Sequence, residues 1–270
     1  MNTLQQRQEI DEIATCDPEV LGYGYSDSQH PWHHDPAIDH PRDAWLDFVD
    51  HLRATLPAAP TILQIGLGRR GGSHLALTTL GGRVVAVDGD AAAIARLGAA
   101  ARFRGDPEDL VLGDGRDEAT STAVRARAPH FDCVVLDGDG TRAGMAAAWR
   151  RWAPLVRAGG VVAIVDRTQA VGVLAPRYRV DAFVAELARD RLEPCGVRMQ
   201  RFGAAAAIHA YRQHERLCAD SSDTPAAAAD PEAPAVLGVG DGFARFTALG
   251  GCFAVAVDEA PYCPLRASRN

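Results

Sequence analysis

The stretch QIGLGRRGGSHLAL, residues 64–77, decides how the rest of the chain is read. It contains Gly66-x-Gly68-x-x-Gly71, directly after the apolar run TILQIG, and a helix is expected from about Gly72. A strand that ends on glycines can turn sharply beneath a ligand, and the N–H groups opening the next helix then face an anion. Pyrophosphate and an amino-acid carboxylate both suit that geometry. The glycine spacing alone therefore leaves NAD and S-adenosylmethionine open.

Beyond the turn, short apolar runs alternate with helical patterns. RVVAVD reads as a second strand ending on Asp88, and AAAIARLGAAARF as a helix with Ile94 and Leu97 on one side. DLVLGD is a third strand with Asp114 at its tip, and FDCVVLDGD a fourth with Asp137 and Asp139 at its tip. Thr141 is the expected N-cap of the next helix, whose inner stripe is Met145, Trp149, Trp152 and Val156. A Gly-Gly turn leads into GGVVAIVD, the fifth strand. A helix over roughly 180–192 follows, then VRMQRFG and AAAIHAYR as a closing strand pair. Before the turn, Pro41 opens a helix with Trp45, Phe48, Val49 and Leu52 on one face, and PAAP breaks it. The expected fold is α/β, a doubly wound, mostly parallel seven-stranded sheet with helices on both faces.

The core is expected over 41–217. Residues 1–40 read as a polar segment followed by a lid rich in Gly, Pro, His and aromatics. Residues 218–235 read as a small, acidic, Pro-rich linker, and 236–270 as a terminal β-hairpin around Leu249-Gly250-Gly251.

Composition narrows the function. The net charge is −7 and no basic block is present, which argues against a nucleic-acid partner. All 28 basic residues are Arg, a usage that GC-rich base composition explains. With no Lys in the chain, Schiff-base, Walker-type and Lys-base chemistry are excluded. The six Cys have no C-x-x-C spacing, so neither a zinc site nor a disulfide framework is expected. The N-terminal segment lacks an apolar h-region and no run approaches a membrane span; the expectation is a soluble cytoplasmic protein without a membrane partner.

The acids at the strand tips separate the two cofactors. A carboxylate at Asp88 can accept hydrogen bonds from both ribose hydroxyls of either one. Asp114 suits the exocyclic amine of an adenine, and Asp137 and Asp139 lie where the reacting end of a ligand would be. On these residues the chain resembles the class I S-adenosylmethionine-dependent methyltransferases. Gly66, Gly68, Asp88, Gly113-Asp114, Asp137 and the segment PLVRAGG before the fifth strand carry the resemblance, which covers about 40–212. More narrowly, QIGLGRRGGSHLAL with VVLDGDGTRAGM is similar to the branch holding cephalosporin-hydroxylase-like and sugar O-methyltransferases. The resemblance implies a sheet whose last strand is antiparallel and S-adenosylmethionine as cofactor. Its expected binding residues are Gln64, Gly66, Gly68, Gly72, Ser73, Asp88, Asp114 and Asp137.

Three positions depart from that branch. Gln64 stands where it has an acid; an amide can still hydrogen-bond the cofactor's amino-acid end. Gly140 replaces a His, and Asp166-Arg167 replaces a pair of acids. Metal-dependent members hold Mg²⁺ with the fourth-strand Asp and that acidic pair. Here Asp137 and Asp166, with Asp139, could still make an oxygen site, or Arg167 could stand in for the cation.

Histidines His30, His33, His34 and His40 crowd the lid, while His209 reads as a core or edge residue of the closing strand. Trp32 could wall a substrate pocket. The expected activity is methyl transfer to a small-molecule acceptor, a hydroxyl of a natural product or sugar, with Asp139 or His34 taking the acceptor's proton. Three alternatives stay open: an enzyme cyclising the cofactor's amino-acid chain, motivated by Gln64; an NAD-dependent oxidoreductase; and a degenerate fold serving as a binding or dimerisation module.

Overall fold

The run at 61–65 becomes β1 (Thr61–Ile65), the strand from which the sheet is wound in both directions. The computed structural model describes residues 8, 10, 14–15, 37–38, 42–68, 71–166, 180–203, 208–214 and 217. The other strands of the sheet are β2 (Arg83–Asp88), β3 (Leu110–Leu112), β4 (Phe131–Leu136), β5 (Val156–Val165), β6 (Gln200–Phe202) and β7 (Ile208–Arg212). Their order is β3-β2-β1-β4-β5-β7-β6. The first five are parallel; β7 runs antiparallel to both β5 and β6. The expected mostly parallel seven-stranded sheet with an antiparallel last strand is the one observed. Of the expected N-terminal segment and lid, Ala14–Thr15 and Ala37–Ile38 form a short parallel strand pair; the rest of the lid, the linker and the terminal hairpin, with Trp32, His34 and Arg167, lie outside the described residues, apart from residues 8 and 10 of the segment.

Helices cover both faces, as the apolar strand runs require. On one face α1 (Arg42–Thr55) buries Trp45, Phe48, Val49 and Leu52 against Val161, Ala163 and Ala210 of the sheet's one half. Beside it lie α2 (Gly72–Thr78) and α3 (Ala91–Ala99), which add Leu75, Leu77 and Leu97. On the other face α4 (Glu118–Arg127), α5 (Arg142–Trp152) and α6 (Val180–Leu187) supply Val124, Met145, Trp149, Trp152, Phe183 and Leu187. They cover Leu63, Val85, Val134, Leu136, Val162 and Ile164. Each such side chain contributes about 1.5–3 kcal/mol by leaving water, so the central strands anchor whatever projects from their carboxyl ends. Among the described residues no helix is long and apolar enough to cross a membrane.

Three local expectations are corrected. The helix expected to run to Phe103 ends at Ala99; Ala100 is extended, and the chain folds back so that Phe103 stacks on His74. Gly98 in its last turn weakens the helix there. Val156 belongs to β5 and pairs with Phe131, so Gly159 and Gly160 sit inside the strand, next to a register shift, rather than in a turn before it. The helix expected to reach Leu192 changes to a π-helical turn, Ala188–Leu192, at its end. The helix that follows Asp114, α4, begins at Glu118 with Asp117, not Asp114, at its N-cap position.

Candidate functional site

At the exit of β1 the chain is gripped from both sides. The Asp137 N–H donates to the Ile65 carbonyl at 2.8 Å, and the Gly66 N–H donates to Val87 of β2 at 2.8 Å. β1 is the strand where the winding reverses, and in open α/β sheets ligands bind in the crevice outside the strand ends at that point. Gly66 has φ +89°, and a Cβ there would lie 2.2 Å from the Asp137 carbonyl oxygen. Only glycine fits so close to β4. Gly68 and Gly71 also have positive φ, 67° and 69°. The Gly71 N–H closes the turn by donating to the Leu67 carbonyl at 3.1 Å, and α2 begins at Gly72. All three glycines of the motif therefore perform the conformational task that the spacing suggested.

Asp88, at the end of β2, braces this turn. Its Oδ2 accepts from the Leu67 N–H at 2.7 Å and its Oδ1 from the Asp90 N–H at 2.8 Å. Capping of α3 falls to Asp90, whose carboxylate accepts from the Ala92 N–H. Carboxylate oxygens accept more than one hydrogen bond, so Asp88 can hold the turn and still receive hydroxyls above it.

Asp114 stands at the tip of β3 with Arg116 clamped on it: Nη2 to Oδ2 at 2.7 Å, Nε to Oδ1 at 3.0 Å, and the Arg116 backbone N–H to Oδ1 at 2.8 Å. The guanidinium holds the Asp114 carboxyl below the usual carboxylate range. In turn the Asp114 hydrogen bond raises Arg116, helped by the charges of Asp114, Asp139 and Asp117. Arg116 thus clamps the acid at the third strand tip, a partnership that the sequence alone does not show.

At the β4 tip, Asp139 is exposed and Asp137 is 3% exposed. Asp137 is thus almost fully buried, and its backbone carbonyl lies against Gly66. Asp139 Oδ1 accepts from the Thr141 N–H at 3.0 Å, and Thr141 caps α5 by accepting from the Gly144 N–H. The Asp139 side chain occupies the space over Gly144, where a Cβ would lie 2.2 Å from Oδ2.

Gln64, expected at the cofactor's amino-acid end, has its amide engaged within the protein. Gln64 is fully buried. Its Nε2 donates to the Gly66 carbonyl at 3.0 Å and to Ser73 Oγ at 2.9 Å, while Oε1 faces His74 Nδ1 at 3.2 Å. Both amide hydrogens are engaged inside the protein. Alternation along β1 already placed Gln64 on the same side as buried Ile62. The partner ten residues on, His74, was not singled out, though a His on the apolar face of GSHLALT is the signal that could have found it. Burial pushes His74 down to about 4.

The expected Mg²⁺ ligands do not assemble. Asp166, at the end of β5, faces His209 of β7, with Oδ2 3.7 Å from Nε2. Among the described residues no group of three or more His, Cys, Asp or Glu side chains converges as a metal site. A cavity of about 430 Å³ lined by Thr78, Arg83, Arg104 and Asp109 lies at the opposite, amino edge of the sheet.

No family model matches the chain, and no curated protein matches it. Among solved structures it is similar to the S-adenosylhomocysteine-bound methyltransferase PaMTH1 of Podospora anserina, at 16% identity and a TM-score of 0.51, over 73% of this chain and 92% of that one. The O-methyltransferase from Bacillus cereus in complex with S-adenosylhomocysteine aligns at 17% identity and a TM-score of 0.47, over 77% and 91%. MycE, a methyltransferase of the mycinamycin biosynthetic pathway solved with Mg, S-adenosylhomocysteine and mycinamycin VI, aligns at 16% identity and a TM-score of 0.43, over 62% and 48%. This chain spans about half the length of MycE. At 16% identity the PaMTH1 likeness concerns fold, and it agrees with the strand order and the antiparallel β7. The chain has the fold of the class I S-adenosylmethionine-dependent methyltransferases.

Proposed function

We propose that this chain binds S-adenosylmethionine at the Gly66–Gly71 turn and methylates a small-molecule acceptor, at a hydroxyl of a natural product or sugar. The observation that carries this reading is the turn itself: three positive-φ glycines at the switch strand, braced by Asp88, with Asp114 and Asp139 on the neighbouring tips. Glycine at 66 lets the turn close against the Asp137 backbone, which fixes its place at the strand ends. The antiparallel β7 weighs against NAD, since the dinucleotide fold continues with parallel strands in the order 3-2-1-4-5-6.

The cofactor supplies a methyl group already activated on a sulfonium. Gly66, Gly68, Gly72 and Ser73 would form the floor under its amino-acid end. Asp88 would accept from the ribose hydroxyls, and Asp114 from the adenine amine once Arg116 shares or releases it. The acceptor must be held in line with the methyl group while water is excluded. As the new C–O bond forms and the S–C bond breaks, the hydroxyl proton passes to a base, a part that Asp139, exposed at the β4 tip, would take. No step is routed through Mg²⁺, because the described donors do not fit one. Gln64, the motive for a cofactor-cyclising enzyme, is engaged beneath the turn, and that motive lapses.

Incubation with methyl-labelled S-adenosylmethionine and a panel of hydroxylated natural products and sugars tests the reading. A labelled acceptor one methyl heavier is the expected product. Release of methylthioadenosine with no labelled acceptor would replace methyl transfer by cofactor cleavage.

A further inference from the structure

Gln64 is the last polar side chain before the turn, and its amide touches both ends of it. The Gly66 carbonyl, which receives one amide hydrogen, lies at the exit of β1. Ser73 Oγ, which receives the other, and His74 lie in the first turn of α2. Everything between these points is the glycine turn. Because a carbonyl oxygen can only accept, the atom facing Gly66 must be Nε2, which fixes the amide's orientation. Oε1 then faces His74, so His74 Nδ1 must carry the hydrogen and donate it. The ring is neutral, with its remaining lone pair on Nε2, buried and without a hydrogen-bond partner among the described residues. Phe103 stacks on the imidazole at 5.9 Å and holds its plane.

We propose that Gln64 and His74 are positioning residues that set the glycine turn through an uncharged hydrogen-bond chain, running from His74 Nδ1 through the Gln64 amide to the Gly66 carbonyl and Ser73. This rests on the cofactor reading above. A Glu at 64 would accept from His74 but could donate nothing to Gly66. It would also set a carboxylate oxygen against the Gly66 carbonyl, at the present 3.0 Å separation. Such a charge would draw a proton onto the buried imidazole. A Glu at 64 would therefore charge the chain that Gln64 keeps neutral, and the two positions form one unit.

The test has two arms. Nitrogen NMR of His74 in the free protein at neutral pH reads the tautomer directly: a protonated Nδ1 and a bare Nε2 are expected, and a proton on Nε2, or on both, overturns the chain. Calorimetric titration with S-adenosylhomocysteine then compares wild type, Gln64→Glu, His74→Leu and His74→Asn, each checked for native near-UV circular dichroism. Losing one buried hydrogen bond converts to roughly tenfold weaker binding, expected for Gln64→Glu and His74→Leu. His74→Asn, whose amide nitrogen replaces Nδ1 as donor, is expected within about threefold of wild type. Folded Gln64→Glu binding as tightly as wild type would overturn the positioning role. A wild type that binds no S-adenosylhomocysteine would instead overturn the cofactor reading, while the NMR arm still decides the tautomer.

Discussion

Replacing Gly66 with Ala separates the cost of close packing from the cost of backbone conformation, because Gly81 provides the control. Both glycines have positive φ, +89° and +75°. A Cβ at Gly81 meets nothing within 4 Å, whereas one at Gly66 would lie 2.2 Å from the Asp137 carbonyl oxygen and 2.7 Å from its carbon. A left-handed L-residue costs roughly 1–2 kcal/mol, partly offset by about 0.4–1 kcal/mol from a less flexible unfolded chain. Gly81→Ala should therefore destabilise by about 1 kcal/mol. Gly66→Ala adds the cost of forcing β1 and β4 apart, about 1–3 kcal/mol for overpacking against backbone. It should destabilise by about 2–4 kcal/mol in total. The displacement also strains the hydrogen bond from Asp137 to Ile65 and moves the turn. Urea denaturation of the two variants at neutral pH, followed by S-adenosylhomocysteine titration of each, measures both effects. Equal midpoints for the two variants, or undiminished cofactor binding in Gly66→Ala, would refute the close approach as the reason for glycine at 66.

Other perturbations have equally definite outcomes. His74 falls from its ordinary 6.5 to about 4 on burial, so the folded protein binds fewer protons than the unfolded chain between those values. The stability this contributes is fully present above pH 6.5 and is lost as pH falls towards 4, about 3 kcal/mol over the window. Denaturation curves at pH 7.5 and 5 should show a steeper loss for wild type than for His74→Asn; parallel losses would contradict the assignment. Trp149 Nε1 donates to the Tyr211 hydroxyl at 2.6 Å, tying α5 to β7, with both rings buried. Tyr211→Phe leaves that indole N–H without this acceptor and should cost about 1–3 kcal/mol in the same assay. Arg116→Ala removes an exposed ion pair and should change stability by less than about 1 kcal/mol, yet it releases the Asp114 carboxylate. Tighter S-adenosylhomocysteine binding is expected, and weaker binding would mean that Arg116 itself holds the ligand.

The strands that position the crevice were legible because their apolar runs are nearly continuous, as in Val134–Leu136 and Val161–Val165, and the glycine turn was legible from its spacing. The extent of helix α4 was not. Its sequence, EATSTAVRAR, buries Val124 as its one large apolar side chain and otherwise buries Thr120 and Ser121. It docks by fit rather than by hydrophobicity: a Cβ on Gly113 would lie 2.3 Å from Thr120 Oγ1. No apolar periodicity records such a contact. The direction of Gln64 was half legible. Its parity with Ile62 put it in the core, but a polar residue near a glycine turn invites a ligand, and only the folded chain brings His74 to its amide. Arg116 lies two residues from Asp114, yet nothing in GDGRD shows that its guanidinium folds back onto the carboxylate instead of reaching solvent.

The most direct test of the cofactor crevice is calorimetric titration of the wild-type protein with S-adenosylhomocysteine and, separately, with NAD. Saturable one-site binding of S-adenosylhomocysteine, abolished or weakened by Gly66→Ala, with no heat from NAD, is the expected result. Binding of NAD without S-adenosylhomocysteine would contradict it.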